Sequence, residues 1–172
     1  MTADHQALKP PLESPPRKSY DRTMAVEIAR QGAGKRYTSR QFKRIASAIL
    51  ELVGNEKVEL SLALVGNTEI KKLNAKYRHK DYSTDVLSFS AGTIFPAETS
   101  LLGDVIISVD KAAEQAKERG RTLDQEMVTL LIHGIVHLLG YDHERSAKDA
   151  RAMGRLEKKI HRQLCERGLI EV

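Results

Sequence analysis

Residues 133–143 read His133-Gly-Ile-Val-His137-Leu-Leu-Gly-Tyr-Asp-His143. The first two histidines are four residues apart, so on a helix their imidazoles stand on one face, one turn apart. Gly140 is a helix-stop signal, and a turn there can swing His143 back over the helix end. Three nitrogens can then converge on one metal ion. Three protein ligands leave the fourth tetrahedral position open, which separates a catalytic zinc site from a structural one. A buried helix with two imidazoles also needs partners for them, and a shared metal supplies both. The pattern points to a metal-dependent hydrolase with His133, His137 and His143 as ligands.

The residue after the first histidine narrows the chemistry. Zinc proteases with H-E-x-x-H place a glutamate there as general base. This chain has Gly134, which can move no proton and therefore argues against that class of peptidase. A glycine admits close approach, either of a ligand or of a neighbouring strand or helix. Asp142, beside His143, is a candidate for orienting a ligand from behind.

A second stretch runs Asn74-Ala-Lys-Tyr77-Arg78-His79-Lys80-Asp81, followed by Thr84 to Phe89. Cations at Arg78–Lys80 suit the C-terminal end of a helix, and Arg78 could equally hold a phosphate with its planar fork. The spacing of His79 gives it no support as a fourth metal ligand.

These residues need elements to position them. Met24, Val26 and Ile28 alternate as in a first strand. Thr38 and Gln41 have capping-box spacing ahead of the amphipathic set Phe42, Ile45, Ala46, Ile49 and Val53. Val58, Leu60, Leu62 and Leu64 alternate as a half-buried strand. Asn67 can cap a helix carrying Ile70, Leu73 and Tyr77. Val86–Phe89 predicts a short strand, followed by a loop with Gly92 and Pro96. Val105–Val109 is a continuous apolar run, as in a strand covered on both faces. Asp110 can start a helix to about Arg119. Thr122 and Gln125 repeat the capping-box spacing and open the histidine helix, roughly 123–139. Ser146 and Asp149 open a last helix with the stripe Met153, Leu156, Ile160 and Leu164. The alternation predicts an α/β domain, α+β in character, over residues 23–172. Its small mixed, partly parallel sheet has about four strands, packed by five or six helices. The metal site lies at the end of a buried central helix.

Composition sets the outer bounds. The chain has 172 residues, enough for one domain with a sizeable core, and 41% are hydrophobic with 5% aromatic and no tryptophan. The net charge of +5 suits an anionic partner such as RNA. Basic residues crowd 35–44 and 148–162, a default solvated face that would also serve a phosphate backbone. No aromatic-rich stretch of the kind that stacks bases is visible. The single Cys165 excludes an intrachain disulfide and a thiolate zinc site. Met127–Leu139 lies in the longest uncharged run, which is too short to span a bilayer. No secretory signal is visible, and a cytoplasmic protein without membrane contact is expected. Residues 1–22 hold four of the five prolines and read as a disordered tail.

With these motifs in hand, the chain resembles the YbeY family of metal-dependent endoribonucleases, the rRNA maturation factors. The family pattern H-G-x-x-H-L-x-G-Y-D-H is matched by residues 133–143. N-x-x-Y-R is matched by Asn74, Tyr77 and Arg78, T-D-V-L-S-F by Thr84–Phe89, and L-G-D-V-x-I-S by Leu102–Ser108. The similarity runs from about residue 24 to about 165. One departure is His79, where the family often has glycine. The resemblance implies one zinc ion on His133, His137 and His143, with Arg78 a functional residue near it. It also implies nuclease (hydrolase) activity on single-stranded RNA, maturation of the small-subunit rRNA end, and ribosome quality control. Partners implied are the small ribosomal subunit and assembly factors such as the GTPase Era.

On this reading the metal is a Lewis acid on a phosphodiester oxygen or activates water, and Arg78 stabilises the charge that builds in the transition state. The RNA 2′-hydroxyl is an alternative nucleophile, leaving a cyclic phosphate. Two other functions fit the same residues: a ribosome-assembly binding factor with a mainly structural zinc, and a metal hydrolase of a small phosphate compound. Three-histidine sites also take nickel or copper.

Overall fold

The computed structural model describes residues 26–28, 39–55, 58–91 and 101–171. The proline-rich stretch 1–22, Met24, Thr38 of the first capping box, and the Gly92–Pro96 loop lie outside the described residues. Within them the order is β1 (Val26–Ile28), α1 (Ser39–Leu52), β2 (Glu59–Val65), α2 (Asn67–Arg78), β3 (Val86–Ser90), β4 (Leu101–Ser108), α3 (Val109–Glu118), α4 (Leu123–Leu138) and α5 (Ala147–Glu166). The sheet order is β1-β2-β4-β3. β1 and β4 run parallel to β2, and β3 runs antiparallel to β4. This is the mixed, partly parallel sheet of an α+β domain.

Strand burial follows the apolar pattern. Leu60, Leu62 and Leu64 enter the main core with α1, α4 and α5, while Ala63 and Val65 turn toward a smaller cluster beneath α2. β4 is buried on both faces: Val105 and Ile107 face the main core, and Ile106 meets Ile70, Tyr77, Leu87 and Phe89 on the other side. Each such fully buried aliphatic side chain contributes roughly 1.5–3 kcal/mol relative to exposure. The strand starts earlier than its apolar run, at Leu101, and stops at Ser108, so Val109 belongs to α3. Pairing with β2 and β3 extends it through Leu102, Gly103 and Asp104, where apolar pattern carries no signal.

Two caps differ from the spacing-based expectation. Asn67 is the first residue of α2 rather than its cap, and its N–H donates to Asp110 Oδ2 at 2.8 Å. Ser108 caps α3, accepting from the Lys111 N–H at 3.2 Å and donating to Asn67 Oδ1 at 2.8 Å. Asp110 therefore caps α2 from the first turn of α3, while α3 keeps its own cap, Ser108, whose hydroxyl ties the two helix starts together through Asn67. The Thr122–Gln125 box is present in both directions, and Ser146 caps α5 by accepting from the Asp149 N–H.

α4 runs through the middle of the molecule. Leu131, Ile135 and Val136 are fully buried, and Glu126 in its first turn is buried against the guanidinium groups of Arg119 and Arg121. Gly134 is the point of closest approach to the sheet. A Cβ there would lie 2.7 Å from Val105 Cγ1, and the Ser88 hydroxyl donates to the Gly134 carbonyl at 3.1 Å. Packing against a strand, one of the two readings of this glycine, accounts for it. The residue after His133 thus points into the sheet, where a protease-type glutamate would find no room.

Candidate metal centre

The α4 sequence keeps His133 and His137 on the one partly exposed strip of an otherwise buried helix. Gly140, at φ 92°, ends the helix, with the Gly140 N–H on the His137 carbonyl and the Tyr141 N–H on the Val136 carbonyl. That left-handed conformation suits a residue without Cβ and reverses the chain. Asp142 then shapes the turn: Oδ1 accepts from the Glu144 N–H at 2.9 Å and Oδ2 pairs with Arg145 at 3.3 Å. These bonds, the Glu144 N–H first, hold its carboxyl below the usual carboxylate range.

His143 is carried back over the helix end. The ring centroid of His133 is 4.6 Å from that of His137 and 5.3 Å from that of His143, and His137–His143 is 5.1 Å. One ligand atom from each lies within 4.8 Å of the others. Burial pushes the pKa of His137 down, and the neighbouring His133 and His143 lower it further. A neutral imidazole is the form a metal needs.

Sequence reasoning missed the partner of His133. Its Nδ1–H donates to Glu157 Oε1 on α5 at 2.7 Å. A carboxylate on one ring nitrogen fixes the tautomer and leaves Nε2 bare, the usual support of a metal-binding imidazole. The donor set therefore suits a borderline divalent ion such as zinc. Glu157 lies 24 residues from His133, and no local pattern links them.

Arg78 ends α2, exposed, and its Nη2 donates to the Ser88 carbonyl at 3.1 Å. Its guanidinium carbon is 5.9 Å from the Phe89 ring centroid. The N-x-x-Y-R motif supports this placement. The Asn74 amide, nearly inaccessible, donates to the Tyr82 carbonyl at 2.8 Å, and Tyr77 meets Phe89 edge-on at 5.5 Å. Asp85 anchors the start of β3 through the Val86 N–H and Gln115. Arg78, Ser88, all three histidines and Asp142 line one cleft of about 580 Å³. His79 is exposed and adopts φ 58°, ψ 33°, capping α2 in a left-handed conformation. It lies outside the histidine cluster.

A family model described as "Endoribonuclease YbeY" matches residues 27–165. The chain belongs to the YbeY family. An endoribonuclease YbeY of Myxococcus xanthus is 43% identical over 162 residues, covering 92% of this chain and 53% of the relative. The chain thus spans about half of that relative's length. One from a Sulfurihydrogenibium species is 44% identical over 142 residues, covering 82% of this chain and 93% of the relative. The solution structure of a Thermotoga maritima protein aligns with a TM-score of 0.53 at 30% identity, covering 79% of this chain and 86% of that one. The left-handed backbone of His79 is one that glycine, having no Cβ, adopts without penalty. No helix among the described residues is long and apolar enough to cross a membrane.

Proposed function

We propose that this chain is a zinc-dependent endoribonuclease that cuts single-stranded RNA, its active domain spanning residues 23–172 behind a proline-rich tail. The observation that carries this reading is the shared cleft: three converging imidazoles and an exposed arginine face the same space. Membership of the YbeY family supports RNA as the substrate.

His133, His137 and His143 hold the ion. When bound, it supplies Lewis acidity at a phosphodiester oxygen or lowers the pKa of water. Glu157 holds the His133 ring by its Nδ1–H, which leaves Nε2 as the nitrogen available to the ion. Arg78, fixed at its tip by the Ser88 carbonyl, presents its remaining N–H groups to the phosphate and stabilises charge as it builds. Asp142 acts through the turn that carries His143. The substrate in the cell is rRNA, at the maturing end of the small-subunit RNA and in ribosome quality control. The partners are the small ribosomal subunit and assembly factors such as Era, in the cytoplasm.

Purified protein of measured metal content, incubated with labelled single-stranded RNA, tests the reading. Cleavage that a chelator abolishes and added zinc restores is expected. Absence of chelator-sensitive cleavage with any divalent metal would overturn it.

A further inference from the structure

Two aromatic side chains stand out on the surface. Among the described residues, the exposed large hydrophobic side chains are Tyr82, at 54% exposure, and Tyr141, at 39%. They come from opposite halves of the chain, yet both line the cleft that holds the histidines and Arg78. Each is anchored through its backbone: the Tyr82 carbonyl takes the Asn74 amide at 2.8 Å, and the Tyr141 N–H donates to Val136 at 3.3 Å. The main chain is fixed at both positions while the rings stand open to solvent.

We propose that Tyr82 and Tyr141 are stacking platforms that hold unpaired RNA bases in the metal cleft and make it selective for single strands. The proposal rests on the endoribonuclease reading and deepens it. Every base has a π-face, so stacking on tyrosine binds a strand whatever its sequence. In a duplex those faces are covered by neighbouring bases, and the platforms have nothing to hold. Arg78 and Lys80 line the same cleft and complement the phosphates of a strand whose bases are so held. Two of the three acidic groups there are engaged within the protein, Asp85 by Gln115 and the Val86 N–H and Asp142 by Arg145 and the Glu144 N–H, while the third, Glu144, is exposed to solvent.

The test uses the full chain stripped of metal, so that binding is read without cleavage. Its probe is a short single-stranded oligoribonucleotide carrying 2-aminopurine, against the same strand in a duplex. Tyr82→Ala and Tyr141→Ala are each expected to weaken single-strand binding roughly 5- to 150-fold, the equivalent of about 1–3 kcal/mol. Both should lessen the fluorescence quenching that reports stacking, raise KM more than they lower kcat in the zinc-loaded enzyme, and leave the weak duplex binding unchanged. Tyr82→Phe and Tyr141→Phe, which keep the ring, should stay within about twofold of the parent. Because both rings are exposed, thermal melts should coincide.

Alanine variants that bind and cut like a competent parent would overturn the stacking role alone. So would phenylalanine variants that fall as far as alanine, since the hydroxyl would then be the contact. A parent that neither binds nor cuts single-stranded RNA would overturn the nuclease reading together with this one.

Discussion

Glu157 on α5 accepts the Nδ1–H of His133 on α4 at 2.7 Å, joining the last helix of the fold to the first histidine of the metal motif. Removing this carboxylate frees the ring to rotate and change tautomer. Glu157→Ala is expected to lower zinc affinity about 10- to 100-fold, measured by competition with a chromophoric chelator. Glu157→Gln, which keeps an acceptor but loses the charge, should fall between the two. Unchanged affinity in both variants would remove Glu157 from the centre.

Arg78 touches the protein only at its edge, so its loss should spare both the fold and the metal. Arg78→Ala is expected to retain stoichiometric zinc and the parental melting temperature while losing on the order of 100-fold or more in kcat. Arg78→Lys should recover little, because an ammonium cannot hold the Ser88 carbonyl and a phosphate with one planar fork. A lysine variant with full activity would reduce the role to simple charge.

Gly134→Ala sets a methyl group 2.7 Å from Val105 Cγ1. Overpacking of this kind costs about 1–3 kcal/mol. Val105→Ala opens room for the methyl group, so the double variant should be more stable than the sum of the two losses predicts. Additive losses in urea unfolding would show that the helix and strand do not meet at this point.

His79 holds a left-handed conformation that costs a non-glycine residue roughly 1 kcal/mol. His79→Gly should therefore raise stability by about 0.5–1 kcal/mol, with the extra backbone freedom of glycine offsetting part of the gain. Cleavage should persist, since His79 lies outside the histidine cluster. Loss of activity on this substitution would give the residue a role at the site.

Acid should weaken the β3 anchor. Burial alone would raise the pKa of Asp85, but hydrogen bonds from Gln115, the Val86 N–H and Thr84 outweigh it and hold the carboxyl below its ordinary value. A folded pKa below the unfolded one means the contribution is complete above the unfolded value. It is then lost as pH falls through the folded one, below about pH 4. Asp85→Asn should be less stable than the parent at neutral pH, and the gap should narrow on acidification below that point. Parallel stability curves across this range would show that Asp85 is not the group responsible.

The sequence alone marked most of the elements and the three histidines that converge. Period-2 apolar spacing marked β2, capping spacing marked the starts of α4 and α5, and the glycine after His137 marked the turn to His143. These are local signals, carried by residues within a few positions of one another. The tertiary structure decided what those residues face. It set Glu157 behind His133, turned Gly134 into the sheet, put Asp110 of α3 at the start of α2, and brought Tyr82 to the same cleft as Tyr141. Each of these pairings crosses the chain, created by the packing of α2, α4 and α5 around the sheet. Local pattern reports which way a side chain leaves its own helix or strand; only packing brings the partner that meets it.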